Sequence, residues 1–203
     1  MNLPVWKTAL CASGTLICGL AFKVLQRNLS KTTNKTDINE FLFYGSEDET
    51  RTREIGIDNL YCIYYLLAHA NKSIDICVPS LESGTIAQCL INVQQRNNAR
   101  IRIAIHNSDN YHHLNSFAKC GIQVKVIKSN ERLEHEFILI DSSDDLVEAV
   151  AVIGSIDYET SRVNCNRDAT LLTSDAAVVS TLKKEFDRVW TSVPEFKPEK
   201  DNK

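Results

Sequence analysis

The chain has 203 residues, 43% of them hydrophobic and 24% charged, which is enough apolar material for one compact domain with an appendage. Its formal charge of -3 excludes a global basic field, so binding to nucleic acid or anionic lipid would need a local cluster of cations. Among the seven cysteines no pair has the close spacing of a zinc site, and they read as free thiols in a reducing compartment, most of them buried.

From Leu3 to Leu25 the residues are apolar or small, interrupted by Lys7 and Lys23, and Thr8 to Phe22 carries no charge. About 20 apolar residues cross a bilayer, and lysines near the ends can reach the headgroups, so residues 1–27 read as one uncleaved membrane anchor. A secretory signal peptide is the competing reading, against which the bulky, basic run Phe22 to Arg27 offers no small-residue cleavage site. Lys23, Arg27, Lys31 and Lys35 follow the span and favour a cytosolic C-terminal domain. Residues 28–40 form a polar linker, 41–193 the folded domain and 194–203 a charged tail.

Phe41 to Tyr44 reads as a short strand, and Glu47 to Arg53 as a charged loop. Asp58 is the expected N-cap of a helix to Ala70, with Leu60, Ile63, Tyr64 and Leu67 inward. A strand over Ser73 to Val78 and a helix over Leu81 to Gln95, burying Ile86, Leu90 and Val93, come next. Arg100 to Ile105 alternates as a half-buried strand does. A helix over Tyr111 to Lys119 is stopped by Gly121, and strands follow at Gln123 to Ile127, Glu136 to Ile140, Val150 to Ile153 and Ala169 to Leu172. A last helix from Asp175 to Trp190 presents Val178, Leu182, Phe186 and Trp190 to the core. Alternating helices and strands predict an α/β fold with a mixed, mostly parallel sheet covered by helices on both faces.

Two stretches carry polar groups at the ends of apolar strands: His135 to Asp141, and Gly154-Ser155-Ile156-Asp157. Their spacing resembles the phospholipase D superfamily signature, His-x-Lys, four residues, Asp, then Gly-Ser-x-Asn. His135, Asp141, Gly154 and Ser155 fall on signature positions, while Phe137 stands at the lysine and Asp157 at the asparagine. Over about Asp58 to Ser192 the wording is similar to the Zucchini, or mitochondrial cardiolipin hydrolase, family, including Asn166-Arg167-Asp168-Ala169 against that family's Asn-Arg-Glu-Asn. One signature copy behind one anchor is also that family's layout.

The resemblance implies a phospholipase D-like fold and a homodimer at the mitochondrial outer membrane, passing the membrane once, with two signatures facing each other. One histidine would attack phosphorus and form a phosphohistidine, while the other protonates the leaving oxygen; water then completes hydrolysis, with no metal or other cofactor. Carried over by position, His135 is nucleophile or acid, Gly154, Ser155 and Asp157 lie at the phosphate, Asp168 orients the partner histidine, and Asp141 is an acid at the strand end with a structural role. The family's Cys/His zinc module has no counterpart, since Tyr44 to Asp58 contains neither residue. The histidines His106, His112 and His113 read as a polar helix start rather than a metal site.

Phe137 removes a cation twice in a dimer. One preorganised donor contributes about 2.7 to 4 kcal/mol to such a reaction, and Asp157 adds repulsion where an amide would donate. These departures favour a membrane-anchored pseudoenzyme or scaffold. The competing function is an active phosphodiesterase cutting single-stranded RNA in piRNA maturation, or hydrolysing cardiolipin to phosphatidic acid. Arg162 or Arg167 could in principle reach in to compensate for the lost lysine. An RNA groove would draw on Arg51, Arg53, Arg100, Arg102, Lys125 and Lys128, whereas an anionic phospholipid would ask for apolar walls near the membrane.

Overall fold

A computed structural model describes residues 38–43, 45, 48–81, 83–106, 111–128, 133–143, 146, 148–154 and 169–193, with the backbone alone at 49–53, 111 and 112. Residues from Ile38 onward form one compact unit. The expected anchor, the linker up to Asp37 and the charged tail lie outside the described residues. Among the described residues no helix is long and apolar enough to cross a membrane.

Among the described residues seven strands make one sheet: β1 Asn39–Phe43, β2 Ser73–Val78, β3 Arg100–His106, β4 Gln123–Ile127, β5 Phe137–Ile140, β6 Val150–Gly154 and β7 Ala169–Thr173. Their order across the sheet is β1-β7-β6-β5-β2-β3-β4. Four helices accompany them among the described residues: α1 Glu49–Ala68, α2 Gly84–Asn97, α3 Tyr111–Lys119 and α4 Ala176–Ser192. Every strand and helix expected from Phe41 onward is present, but two expectations about their direction and bounds fail.

The sheet is mixed, yet it is not mostly parallel. Only β2 with β3 and β3 with β4 run parallel; the other four neighbouring pairs are antiparallel. Parallel neighbours need a crossover of a dozen or more residues. Helices α2 and α3 supply it on one side of the sheet, whereas the short segment 141–149 can only turn β5 back as a hairpin with β6.

The first helix also begins well before Asp58, at Glu49. Glu and Arg are good helix formers, so the charged run after Glu49 continues the helix instead of making a loop. Asp58 is an exposed residue inside α1, and Leu60, Ile63 and Leu67 are buried as expected, with Tyr64 partly so.

Strand periodicity divides the core in two. Ile74, Ile76 and Val78 of β2 and Ile101, Ile103 and Ile105 of β3 meet Ile63, Leu67, Ile86, Leu90, Val93, Leu114 and Phe117 from α1, α2 and α3. The opposite face of the sheet offers Cys77 and Ala104 of β2 and β3, with Phe137, Leu139 and Ala151 of β5 and β6, to Val179, Phe186 and Val189 of α4. Helices therefore cover both faces. The buried stripe of α4 is turned slightly from the expected one, since Val179 and Val189 are buried while Val178, Leu182 and Trp190 are half-buried.

Local chemistry fixes the helix ends. Asp175 caps α4, accepting from the Ala177 and Val178 N–H groups at 2.9 Å, and Ser83 caps α2 by accepting from Ile86 N–H. Gly121, with φ of 82°, takes the left-handed position that ends α3.

Beneath α4 lies a charge pair whose arginine was expected as a candidate for an RNA groove. Asp75 on β2 is fully buried and receives Arg102 of β3 through two bonds of 2.7 Å. The guanidinium also reaches Asp187 at 3.2 Å and lies 4.7 Å from the Phe186 ring centroid and 5.3 Å from that of Trp190. Burial alone would lower the Arg102 pKa, but Asp75 and Asp187 together raise it. Lys125 donates to the Trp190 carbonyl and sits 4.7 Å over its ring. Arg102 and Lys125 are thus committed to holding α4, and neither lines an open groove; Arg100 and Lys128 are exposed. Phe186 and Trp190, stacked at 5.6 Å, are packing residues as expected.

Candidate functional site

β5 carries the signature, and its two ends do different work. Asp141, just past its C-terminal end, adopts φ of 53°. Its Oδ1 accepts from the Lys72 N–H at 2.7 Å and the Asn71 and Ser73 N–H groups at 3.1 Å, and Oδ2 from Asn71 at 3.1 Å. Its own N–H donates to the Ser73 carbonyl at 2.7 Å. A carboxylate filling three successive backbone donors ties the turn between α1 and β2 to β5. The structural role expected of Asp141 fits this geometry, at the opposite end of β5 from His135. Six residue steps of extended chain separate them, about 20 Å, and no single phosphate spans that.

His135 stands at the other end, ahead of Phe137. Its side chain is 45% exposed and its Nε2 is 2.8 Å from Glu185 Oε1 on α4. Arg188, one helical turn on, grips the same carboxylate, with Nη2 to Oε1 at 2.6 Å and Nε to Oε2 at 2.7 Å. The Arg188 bonds first, and then the His135 bond, hold the Glu185 carboxyl down at about 2 although partial burial opposes them. Glu185 and Arg188 were not singled out in the sequence. Their spacing is readable as a helix-surface ion pair, but nothing in the order of residues aims it at His135.

Phe137 is buried, 3% exposed, in the cluster under α4, with its ring centroid 6.2 Å from the His135 ring. The side chain at the signature lysine position thus belongs to the core. Cys77 lies in the same cluster, and burial first, then the Glu185 charge, pushes its thiol up to about 12. Cys89 is also buried, whereas Cys62 is exposed and Cys120 half-exposed.

Gly154 ends β6 at the His135 end of the sheet, where its N–H donates to the Glu136 carbonyl at 3.0 Å. With φ of 120°, it lies so close to β7 that an added Cβ would be 2.4 Å from the Ala169 carbonyl oxygen. Only glycine suits that approach. Ser155, Asp157, Asp168, Arg162 and Arg167 lie outside the described residues. Among the described residues no group of three or more His, Cys, Asp or Glu side chains is arranged to hold a metal ion.

The fold agrees with what the chain is similar to. Residues 63–190 match the family model described as "Cardiolipin synthase, PLD-like domain". The mitochondrial cardiolipin hydrolase of Xenopus laevis is 25% identical over 146 residues, covering 68% of this chain and 65% of the relative. The Homo sapiens protein of the same name is 27% identical over 139 residues, covering 66% and 50%. The chain thus spans about half to two thirds of the length of these curated relatives. Among solved structures, the phospholipase D family member Nuc from Salmonella typhimurium superposes with a TM-score of 0.63 at 12% identity, covering 80% of this chain and 99% of that one. NucT from Helicobacter pylori gives 0.62 at 15%, covering 79% and 99%. With a family match over more than half of its length and this shared sheet, the chain belongs to the phospholipase D-like superfamily, on its Zucchini, or mitochondrial cardiolipin hydrolase, branch.

Proposed function

We propose that this protein is a dimeric, membrane-anchored pseudoenzyme of the mitochondrial outer membrane, with its folded domain facing the cytosol, and that it binds a phosphate-bearing ligand without cleaving it. The observation that carries this reading is Phe137, whose ring is packed in the core under α4. A cation that should offset charge growing on the phosphoryl oxygens is missing, and the side chain in its place cannot donate a hydrogen bond. The mitochondrial placement draws on the names of the relatives, and the anchor on the apolar stretch Thr8 to Phe22.

A second reading, an active metal-independent phosphodiesterase acting on single-stranded RNA or cardiolipin, draws on one observation. His135 is kept, accessible, and bonded to a carboxylate, as a nucleophilic or general-acid histidine needs to be. Single-turnover cleavage by the full chain in nonionic detergent separates the two. Labelled single-stranded RNA and cardiolipin are each presented to the unaltered protein, to His135→Ala and to the Phe137→Lys/Asp157→Asn double variant. No turnover by the unaltered protein is expected. Turnover that His135→Ala abolishes would establish an enzyme and overturn the pseudoenzyme reading.

A further inference from the structure

The contact between His135 and α4 is not accounted for by any signature residue. Glu185 Oε1 accepts from His135 Nε2 at 2.8 Å and from Arg188 Nη2 at 2.6 Å, while Oε2 takes Arg188 Nε. A planar guanidinium and an imidazole converging on one anion is a donor set equally suited to phosphate. Two bonds of 2.8 and 2.6 Å to a single oxygen keep the two nitrogens within 5.4 Å of each other. The group is open to solvent, with His135 45% and Arg188 68% exposed. Behind it lie the buried Phe137 ring and the Cys77 thiol, so one wall is apolar.

An ordinary i,i+3 pair on a helix surface would involve Glu185 and Arg188 only, and such pairs contribute little. Here the third member comes from the strand end that carries the signature histidine, and the carboxylate lies between the two cationic or donor groups. Counting Arg188 as +1 and Glu185 as -1, the cluster is neutral with a neutral imidazole. Without Glu185 it is a cationic anion site.

We propose that His135 and Arg188 form a binding site for one phosphate group, and that the Glu185 carboxylate occupies this site from within the chain, so that a ligand must displace it. Arg188 then contributes from α4 a cation for binding, without replacing the one that position 137 lacks for turnover. The proposal rests on the reading that the site binds phosphate, and it adds the residues that bind and the internal competitor that weakens binding. The ligand chemistry is a phosphate anion, whether free or in a lipid headgroup.

The test follows the His135 imidazole by NMR in the full chain, held in nonionic detergent, during titration with inorganic phosphate and with dimethyl phosphate. Removing a charge that opposes the ligand at this partly exposed site is expected to tighten binding in Glu185→Gln about five- to tenfold, with Glu185→Ala moving the same way. Arg188→Gln should weaken binding, and Glu185→Gln/Arg188→Gln should lose the gain. Glu185→Asp, which keeps the charge, should bind no tighter than the unaltered protein. Binding that is unchanged or weaker in both Glu185→Gln and Glu185→Ala would make Glu185 a positioning residue and overturn the proposal, as would an Arg188→Gln variant with unaltered affinity.

The same titration with cardiolipin added to the detergent micelles identifies the source. A gain in Glu185→Gln with micellar cardiolipin as well as with free phosphate assigns the site to a headgroup, and a gain with free phosphate alone assigns it to a soluble anion. Because binding is read without turnover, RNA cleavage by the unaltered protein would overturn the pseudoenzyme reading and leave this site standing.

Discussion

Restoring the signature lysine at position 137 should destabilise the fold. The Phe137 ring is 3% exposed and packs against α4, so an aromatic side chain of this kind buries about 150 to 250 Å², corresponding to about 4 to 6 kcal/mol at 25 cal/mol per Å². A lysine stem following the same path recovers about half of that, since its four carbons fill less space and its ammonium must reach water. An exit exists beside the His135 ring, 6.2 Å away and part-exposed, so the charge need not remain buried. The net cost for Phe137→Lys is then about 2 to 3 kcal/mol, against about 1 kcal/mol for Phe137→Leu, which keeps an apolar group of similar size. Urea denaturation followed by circular dichroism on both variants measures the difference. If Phe137→Lys proved as stable as Phe137→Leu, the ring would not be serving the core, and the claim that this position has exchanged catalysis for packing would fail.

Three further outcomes follow from the charge networks. Asp141→Ala removes the acceptor of three backbone donors, of which Ser73 N–H is buried, at a left-handed residue and should cost about 2 to 4 kcal/mol, with Asp141→Asn recovering more than half, both read from urea midpoints. Asp75→Ala leaves the part-buried Arg102 guanidinium with Asp187 alone and should cost about 2 to 4 kcal/mol, whereas the Asp75→Leu/Arg102→Met pair should recover most of it in thermal melts. The Glu185 carboxyl is held at about 2, below its ordinary 4.5, so its contribution to stability is complete above about pH 4.5 and is lost as pH falls through 2. Solvent screening limits it to about 1 kcal/mol, and a pH series on Glu185→Gln should show that part of the acid dependence missing.

The strands and helices were legible because each carries its own periodic signal. Ile86, Leu90 and Val93 identify the buried face of α2, and Asp175 and Gly121 mark where helices start and stop. The direction of β5 was not legible, because a buried strand reads alike whichever way it runs, and only the shortness of segment 141–149 argues for a hairpin. Arg102 and Lys125 looked like groove cations because alternation on β3 and β4 shows which face a residue takes but not which helix covers it. Glu185 was invisible as a site residue for the same reason: its contact with His135 spans 50 positions and depends on how α4 lies across the sheet.

The retained signature residues are unequal evidence for chemistry. Asp141 closes a turn by satisfying three backbone donors, and Gly154 is required where β6 comes within 2.4 Å of placing a Cβ on the Ala169 carbonyl; both would be needed in a chain that never met a phosphodiester. His135 has no such duty, being part-exposed with a single bonded partner among the described residues. Gly154→Ala should therefore cost about 3 kcal/mol or more through backbone displacement at a left-handed position, while His135→Ala should cost less than about 1 kcal/mol. Thermal melts of the two variants test this division. A His135→Ala variant as unstable as Gly154→Ala would mean that the histidine also belongs to the scaffold. In that case the signature would record only how this sheet is built, and the phosphate site at the end of β5 would lose its strongest support.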